Sequence, residues 1–262
     1  MAEKSDVEFV KNWFESYTSS FRLKNSKEQD NINLKIYHSK QVAKEAKNIA
    51  ASLNLSQRDL FLSEIIGILH DVGRFPQYYN YKTFVDSRSE NHALLGKKVL
   101  LQSTVLTPFT REEKDIIIFA VAHHNFKHLP ENQSERKILF TKILRDADKL
   151  DIFRVVTEYY EKKGGNEFNP VIELDLPVSS KISHDVLEDI LNYRLVEISR
   201  LKTNTDFKIL QLGWTFDINF PYTFLMLEKR GYIKRICSTI PDSEEKQIAY
   251  KTVNSFLSRK LS

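Results

Sequence analysis

Apolar residues recur at helical spacing along almost the whole chain. One apolar stripe runs through residues 9–17 and a second through residues 33–53, each at the 3.6-residue period of an α-helix. The 262 residues include only seven Gly and seven Pro, too few for the many tight turns of a sandwich or barrel of short strands. The sequence therefore predicts an all-α protein, with room for a strand or two over residues 171–178.

Capping and breaking residues indicate where the predicted helices begin and end. Ser56 precedes an acidic first turn, and Thr110 and Glu113 form a capping box. The segment 75–90 is aromatic and polar without a clear period, which predicts a loop. A long helical run over 136–163 ends at two glycines. Further helices are predicted at roughly 184–204, 206–231 and 243–260, with Pro221 breaking or starting one of them.

The helical pattern weakens between Gly164 and Lys181, which makes this segment the best candidate boundary. We expect the functional residues and an N-terminal helix in residues 1–163. We expect a helical C-terminal lobe in residues 164–262, packed on the first part as one compact unit. The lobe carries no motif that indicates its role.

The charge and the cysteine content of the chain restrict the kinds of partner and metal site that we expect. Lys and Arg number 39 against 35 Asp and Glu, a net charge of +4 that suits a small anionic ligand. No basic stripe interleaved with aromatic residues is visible, so nucleic acid is not expected as a partner. The single cysteine, Cys237, excludes a disulfide framework and any multi-cysteine metal site. No apolar run of about 18 residues and no secretory signal is present, so we expect no membrane partner and a cytoplasmic location.

Histidine and aspartate are concentrated on successive predicted helices. Five of the seven histidines lie between His38 and His124, and His70 is followed directly by Asp71. Imidazole and carboxylate together suit a catalytic transition metal. The surrounding sequence is apolar, and a buried aspartate is rarely tolerated unless it is paired or binds a metal. The acidic candidates in the helix that follows are Asp146, Asp148 and Asp151.

The order of these residues resembles the HD-domain superfamily of metal-dependent phosphohydrolases, whose fold is an all-α helical bundle. The resemblance covers about residues 30–160. Within the superfamily, the chain is similar to a subgroup of stand-alone bacterial HD proteins. It rests on YHSKQVAKEA around His38, GILHDVGRFPQ around His70 and Asp71, NHALLG around His92, AVAHHN around His123 and His124, and LRDADKLD around Asp148.

The resemblance implies a set of metal ligands. His38, His70 and Asp148 would hold one ion, His92 and His123 a second, and Asp71 would bridge them. His124 is an alternative ligand, a donor that orients a ligand, or a phosphate contact. In the motif ADKL, the aspartate before lysine is the one that aligns with the family's aspartate ligand, so the resemblance implies Asp148 at that position. Asp146 is rotated from Asp148 by about 200° on the helix. The implied cofactor is one or two divalent ions of Mn, Fe, Co, Ni or Zn, with Mg as a further alternative.

The chain departs from a related group of the superfamily at two points, which bear on the number of metal ions and on the substrate. Cyclic-dinucleotide phosphodiesterases with three metals carry a glutamate where this chain has Leu34, so a third ion is not expected. The Gly-Tyr-Pro signature of that group is also absent, which argues against cyclic di-GMP as substrate.

The expected chemistry is attack of a metal-activated, bridging hydroxide on a phosphoester. Asp71, Arg74 and Lys149 are the predicted catalytic residues. Arg74 and Lys149 are also predicted to bind the phosphate, together with Lys127 and His128. Asp86, Arg88 and Asn91 precede the third histidine and could orient a ligand.

Three functions compete at this stage. The first is hydrolysis of a phosphoester of a nucleotide or a related small anionic molecule. The second is a di-iron oxygenase, similar to the myo-inositol oxygenase type within the same superfamily. The third is a non-catalytic module that senses a nucleotide. The C-terminal lobe could close the pocket or form a homodimer contact.

Overall fold

A computed structural model describes residues 3–162, 173–174 and 176–262, and these residues contain helices and no strand. The predicted all-α fold is therefore confirmed. The strand considered for 171–178 lies partly outside the described residues, and residues 176–178 are irregular. Within the same ranges, no helix combines the length and apolarity that crossing a membrane requires.

The chain divides into two compact units, Met1–Asp151 and Ile152–Ser262. This division falls inside the last helix of the first unit. The helices of that unit are α1 Lys4–Ser19, α2 Ser26–Ser52, α3 Gln57–Leu69, α4 Arg74–Tyr81, α5 His92–Gln102, α6 Arg111–His123 and α7 Glu135–Lys162.

Side-chain caps begin the helices that carry the candidate site. The Ser56 hydroxyl accepts from the Asp59 N–H before α3, and Thr110 and Glu113 form the reciprocal box before α6. Both predicted caps are confirmed. The Asn91 side chain accepts from the first N–H groups of α5, which fixes the point at which His92 enters the helix.

Helices α2 and α3 pack with their backbones in close approach. A Cβ atom on Gly67 would lie 2.5 Å from the Ala43 Cα atom, so only glycine fits at this crossing. The two helices carry His38 and His70, and the close approach brings those histidines together. Large side chains that are fully buried complete the core, among them Phe14, Ile65, Leu69, Ile116 and Phe140.

The predicted loop over 75–90 is wrong in its first half, where α4 forms instead. Phe75 and Tyr78 are buried three residues apart, which is a helical spacing. The Phe75 ring packs edge-on against Phe14 of α1 with centroids 5.8 Å apart. A short 3₁₀ turn at Asp86–Arg88 follows. Tertiary contacts with α1 therefore stabilise a helix that is too short to show a sequence period.

Two of the three helical runs predicted in the second unit are shortened or interrupted in the structure, whereas the run predicted over 243–260 forms as one helix. The run predicted over 184–204 ends at Leu191, because the Asp189 carboxylate accepts from Arg194 and Arg200 and holds the following chain back against the helix. The run over 206–231 is interrupted by a 3₁₀ turn at Trp214–Asp217. After α7, the described residues of the second unit form α8 His184–Leu191, α9 Asn204–Gly213, α10 Pro221–Lys229, α11 Tyr232–Ser238 and α12 Glu244–Leu261. Pro221 therefore starts a helix.

Asp206 in α9 is a buried residue whose carboxylate accepts several backbone hydrogen bonds within the second unit. Its carboxylate accepts from the Ser183 N–H at 2.7 Å, the Lys202 N–H at 3.0 Å and the Thr203 N–H at 3.2 Å. Replacement Asp206→Ala leaves these backbone donors unpaired, and we expect it to lower the free energy of unfolding by about 2–4 kcal/mol. Urea denaturation of the full chain, followed by circular dichroism, measures the loss.

The matched control for Asp206 is the exposed Asp185 in the first turn of α8. Asp185→Ala is expected to change the unfolding free energy by less than about 0.5 kcal/mol. Equal effects of the two substitutions would contradict the role assigned to Asp206.

Candidate metal centre

Five helices of the first unit bring a group of buried histidines and aspartates together. His38 lies in α2, while His70 and Asp71 follow the end of α3. His92 is the first residue of α5, and His124 follows the last residue of α6. Asp148 completes the group from α7. All but Asp148 are buried, and the Asp148 side chain is 19% exposed.

One half of the cluster surrounds Oδ2, one of the two carboxylate oxygens of Asp71. The Nε2 atoms of His38 and His70 lie 3.3 Å apart and are 3.7 and 3.6 Å from Asp71 Oδ2. Asp148 Oδ1 lies 3.1 Å from His38 Nε2 and 3.7 Å from His70 Nε2. Two imidazole nitrogens and two carboxylate oxygens therefore converge here.

The other half lies beside Oδ1, the second of these carboxylate oxygens. His92 Nε2 lies 3.6 Å from Asp71 Oδ1 and 3.1 Å from His124 Nε2. Asp71 thus presents a different oxygen to each pair of histidines. Among the described residues, it is the one shared by both groups that could hold an ion.

Backbone carbonyls fix two of the four imidazole rings. His70 Nδ1 donates to the Gly67 carbonyl and His124 Nδ1 to the Val121 carbonyl, both at 2.8 Å. A carbonyl oxygen only accepts, so the proton of each neutral ring lies on Nδ1. The Nε2 lone pairs of His70 and His124 therefore face the cluster.

Carboxylates fix the remaining two rings. His38 Nδ1 donates to Asp151 Oδ2 at 2.7 Å, and His92 Nδ1 donates to Asp86 Oδ2 at 2.8 Å. Such hydrogen bonds orient metal-binding histidines and raise their basicity. Asp86 also accepts from Arg74 and Gln77. The predicted orienting role fits the position of Asp86.

His38 differs from the other histidines of the cluster in its protonation equilibrium, because the pKa of His70 is lowered by burial like those of His92 and His124. Burial lowers the pKa of His92 and of His124 to about 4, with further lowering by Arg74 for His92 and by His70 for His124. Burial and Lys35 also act against the charge on His38, but its bonds to Asp148 and Asp151 outweigh them and raise its pKa to about 9. His92 and His124 are therefore neutral near pH 7.

The donor set fits a bound transition metal. The neutral His92 and His124 place two Nε2 lone pairs 3.1 Å apart, and such an approach is repulsive unless a cation lies beside both atoms. Burial raises the pKa of Asp71, but the charges of Lys35 and Arg74 outweigh burial and hold that pKa well below its usual range. Ionised carboxylate with imidazole is the ligand chemistry that these ions prefer.

The structure places His124, and not His123, in the cluster. His123 Nδ1 donates to the Phe119 carbonyl at 2.8 Å. Its ring packs between Phe119 and Phe126, with centroids 4.3 and 5.0 Å away. Successive residues of a helix are rotated by about 100°, so only one of the two adjacent histidines can face inward. The position that the resemblance implied for His123 is occupied by His124.

Arg74 lies beside the Asp71 carboxylate. Its Nη1 donates to the Phe84 carbonyl at 2.6 Å and to Asp86 at 3.0 Å. Its Nε lies 3.6 Å from Asp71 Oδ1, is buried, and has no hydrogen-bond partner in the part of the chain that the structure describes. The guanidinium is thus held in place with one N–H directed toward the site.

The other residues predicted to bind phosphate lie on α7 and in the segment after α6. Lys149 is half-buried on α7 beside Asp148. Lys127 and His128 are exposed in the segment after His124. Their contacts with a substrate stay predictions.

Two cationic residues beside the cluster were not singled out from the sequence. Lys35 Nζ donates to Asp71 Oδ2 at 2.8 Å. Arg145 is buried and donates from Nη1 to the His124 carbonyl at 3.2 Å and to the Phe126 carbonyl. Each lies three residues before a candidate ligand on its own helix, His38 and Asp148, which is the one sequence signal that could have indicated them.

The adjacent histidines give a matched test of the second ion position. We expect His124→Ala to lower the metal content by about one ion per chain, since it removes an Nε2 ligand. We expect His123→Ala to leave the metal content unchanged. Metal analysis of both proteins, purified without chelator, checks the pair; the opposite pattern would assign the ligand to His123.

Comparison with known proteins identifies one family. The family model described as HD domain matches residues 36–152, a range that includes all the clustered residues from His38 to Asp148. No curated protein and no solved structure matches the chain.

Proposed function

Residues 36–152 belong to the HD-domain superfamily, and on that premise we propose that the cluster is the active site of a metal-dependent phosphohydrolase. The proposed substrate is a phosphoester of a nucleotide or a related small anionic molecule. The observation that carries the proposal is the arrangement of Asp71, whose two oxygens face two separate pairs of histidines.

The ligands divide between two ion positions. His38, His70, Asp148 and Asp71 Oδ2 would hold one divalent ion. His92, His124 and Asp71 Oδ1 would hold the second. Bound ions supply a water of lowered pKa and polarise the phosphoryl oxygens.

The surrounding residues orient the ligands and bind the substrate. Asp151 and Asp86 fix the rings of His38 and His92. Arg74 offers its Nε–H to a phosphoryl oxygen, because Asp86 and the Phe84 carbonyl hold the guanidinium from the other side. Lys149 is proposed as a second cation for the phosphoryl group.

Hydrolysis balances without any further reactant. The water oxygen forms a new bond to phosphorus, and the bond from phosphorus to the ester oxygen breaks. The leaving oxygen takes the proton that the attacking water releases, so that a monoester yields the free alcohol or nucleoside and inorganic phosphate. The cationic side chains offset the charge that develops on the phosphoryl oxygens.

The proposal is tested by metal analysis and a substrate screen on the full chain. We expect about two ions per chain in protein purified without chelator. We expect phosphate release from nucleotides or p-nitrophenyl phosphate with added Mn²⁺, Fe²⁺, Co²⁺, Ni²⁺ or Mg²⁺. Two irons with oxygen consumption and no phosphate release would instead support an oxygenase. No bound ion and no turnover would support a non-catalytic binding module.

A further inference from the structure

We propose that Lys35 is a substrate-binding residue, which exchanges its contact with Asp71 for the phosphoryl group of a phosphomonoester when ions occupy the centre. The proposal rests on the function proposed above and deepens it in two respects. It names a cationic ligand that the sequence motifs do not include, and it names the class of ester.

Lys35 and an ion require the same carboxylate oxygen. Lys35 lies on α2, one turn before His38, and its Nζ is 2.8 Å from Asp71 Oδ2. That oxygen is also the one that faces His38 and His70, at 3.7 and 3.6 Å. A divalent ion bound there repels the ammonium group, so the two cations compete for Asp71.

Displaced from Asp71, the ammonium group finds the neighbouring carboxylates engaged. Asp148 is itself a ligand of the first ion position. Asp86 accepts from Arg74, Gln77 and His92. The Lys35 side chain is only 18% exposed, so its charge stays close to the site. An anionic substrate bound at the ion positions would then lie close enough to pair with it.

The two cations nearest the bridging carboxylate flank it. Lys35 lies at Asp71 Oδ2, and Arg74 Nε lies 3.6 Å from Asp71 Oδ1. Both side chains also lie over the Phe84 ring, with Lys35 Nζ 5.4 Å and Arg74 Cζ 5.8 Å from its centroid. An anion drawn to the two ion positions therefore has one cation beside each of them.

This charge arrangement favours a terminal phosphoryl group. A phosphomonoester carries a charge of about −1.5 to −2 near pH 7, whereas a diester carries a single negative charge. Two cationic side chains in addition to two divalent ions match the more highly charged group. Loss of Lys35 should therefore weaken binding of a monoester more than binding of a diester.

The first test measures inorganic phosphate binding to the Mn²⁺-loaded full chain by calorimetry. We expect Lys35→Met to weaken phosphate binding by about 10- to 100-fold, the range for a lost hydrogen bond between charged groups. We expect Mn²⁺ affinity to be unchanged or tighter by up to about tenfold, since no ammonium group competes for Asp71. Lys35→Arg keeps the charge and should retain most of the phosphate affinity.

The control is Lys40 on the same helix. Lys40 is exposed and pairs with Glu15 at 3.1 Å, so Lys40→Met should alter neither Mn²⁺ nor phosphate affinity. A fall in Mn²⁺ affinity with Lys35→Met would show that Lys35 supports the ligand carboxylate, and would overturn the proposal. Unchanged phosphate affinity in that variant would also overturn it.

The second test separates this proposal from the proposed function. With p-nitrophenyl phosphate, Lys35→Met should raise KM more than it lowers kcat, and the loss in kcat/KM should exceed that with bis(p-nitrophenyl) phosphate. If no ester is hydrolysed by the unsubstituted chain while phosphate binding depends on Lys35, the function fails and the role of Lys35 stands. If hydrolysis occurs and Lys35→Met leaves it unchanged, the role of Lys35 fails and the function stands.

Discussion

Replacement of Asp71 by alanine is expected to lower metal-dependent phosphoester turnover by at least about a thousandfold. Within the described ranges, Asp71 is the residue common to both groups that could hold an ion. Its removal takes one oxygen from each ion position at once, whereas loss of any single histidine affects one position. Turnover of p-nitrophenyl phosphate, measured with saturating Mn²⁺ and together with the bound metal content, checks the expectation.

The fold should survive the loss of Asp71. Its contacts are with side chains of the cluster, including Lys35 and Arg74, and the core around α3 is formed by apolar residues. Asp71→Asn keeps the shape of the side chain and should lose most of the same activity. The exposed Asp115 on α6 provides the control, because Asp115→Ala should leave turnover unchanged. Turnover of Asp71→Ala within about tenfold of the unsubstituted chain would refute the bridging role.

Gly73→Ala is expected to lower the free energy of unfolding by about 3 kcal/mol or more. A Cβ atom on Gly73 would lie 2.1 Å from the His92 carbonyl oxygen and 2.5 Å from the Gly96 nitrogen. Both are backbone atoms of α5, so the start of that helix must move. Because His92 is its first residue, we also expect the second ion to be lost. Urea denaturation and metal analysis measure the two effects.

Gly96 supplies a matched control on the opposite side of the same contact. A Cβ atom there would lie 3.2 Å from a side-chain methyl group of Val121, which can shift. Alanine also favours the helix over glycine, so Gly96→Ala should change the unfolding free energy by less than about 1 kcal/mol. A similar small effect of Gly73→Ala would contradict the close packing of α5 on this turn.

Most of the residues that gather at the candidate metal centre were expected there from the sequence motifs, whereas the choice between neighbouring residues could not be made from the sequence. The structure brings His38, His70, Asp71, His92 and Asp148 to one place. The choice of His124 over His123 depends on the rotation of α6 at its last turn. That rotation is set by the packing of Phe119 and Phe126 around His123, which no local pattern shows.

Contacts between distant segments account for the remaining differences. Lys35 has the sequence appearance of a solvent-exposed lysine on a helix, and only the packing of α2 on α3 brings it to Asp71. Helix α4 forms because Phe75 packs against α1. The early end of α8 depends on Asp189, which binds arginines five and eleven residues farther along the chain.

The hydrogen bonds at the four Nδ1 atoms also have a thermodynamic consequence. Each ring is already rotated toward the centre by a partner outside it: Gly67, Val121, Asp86 or Asp151. An arriving ion therefore spends little binding free energy on immobilising side chains, although at His38 it must displace the proton that the raised pKa retains near pH 7. We expect such preorganisation to favour ions that accept imidazole nitrogen over Mg²⁺, which prefers oxygen and retains its waters. The protein would then select its metal by the composition of a cage that is assembled in advance.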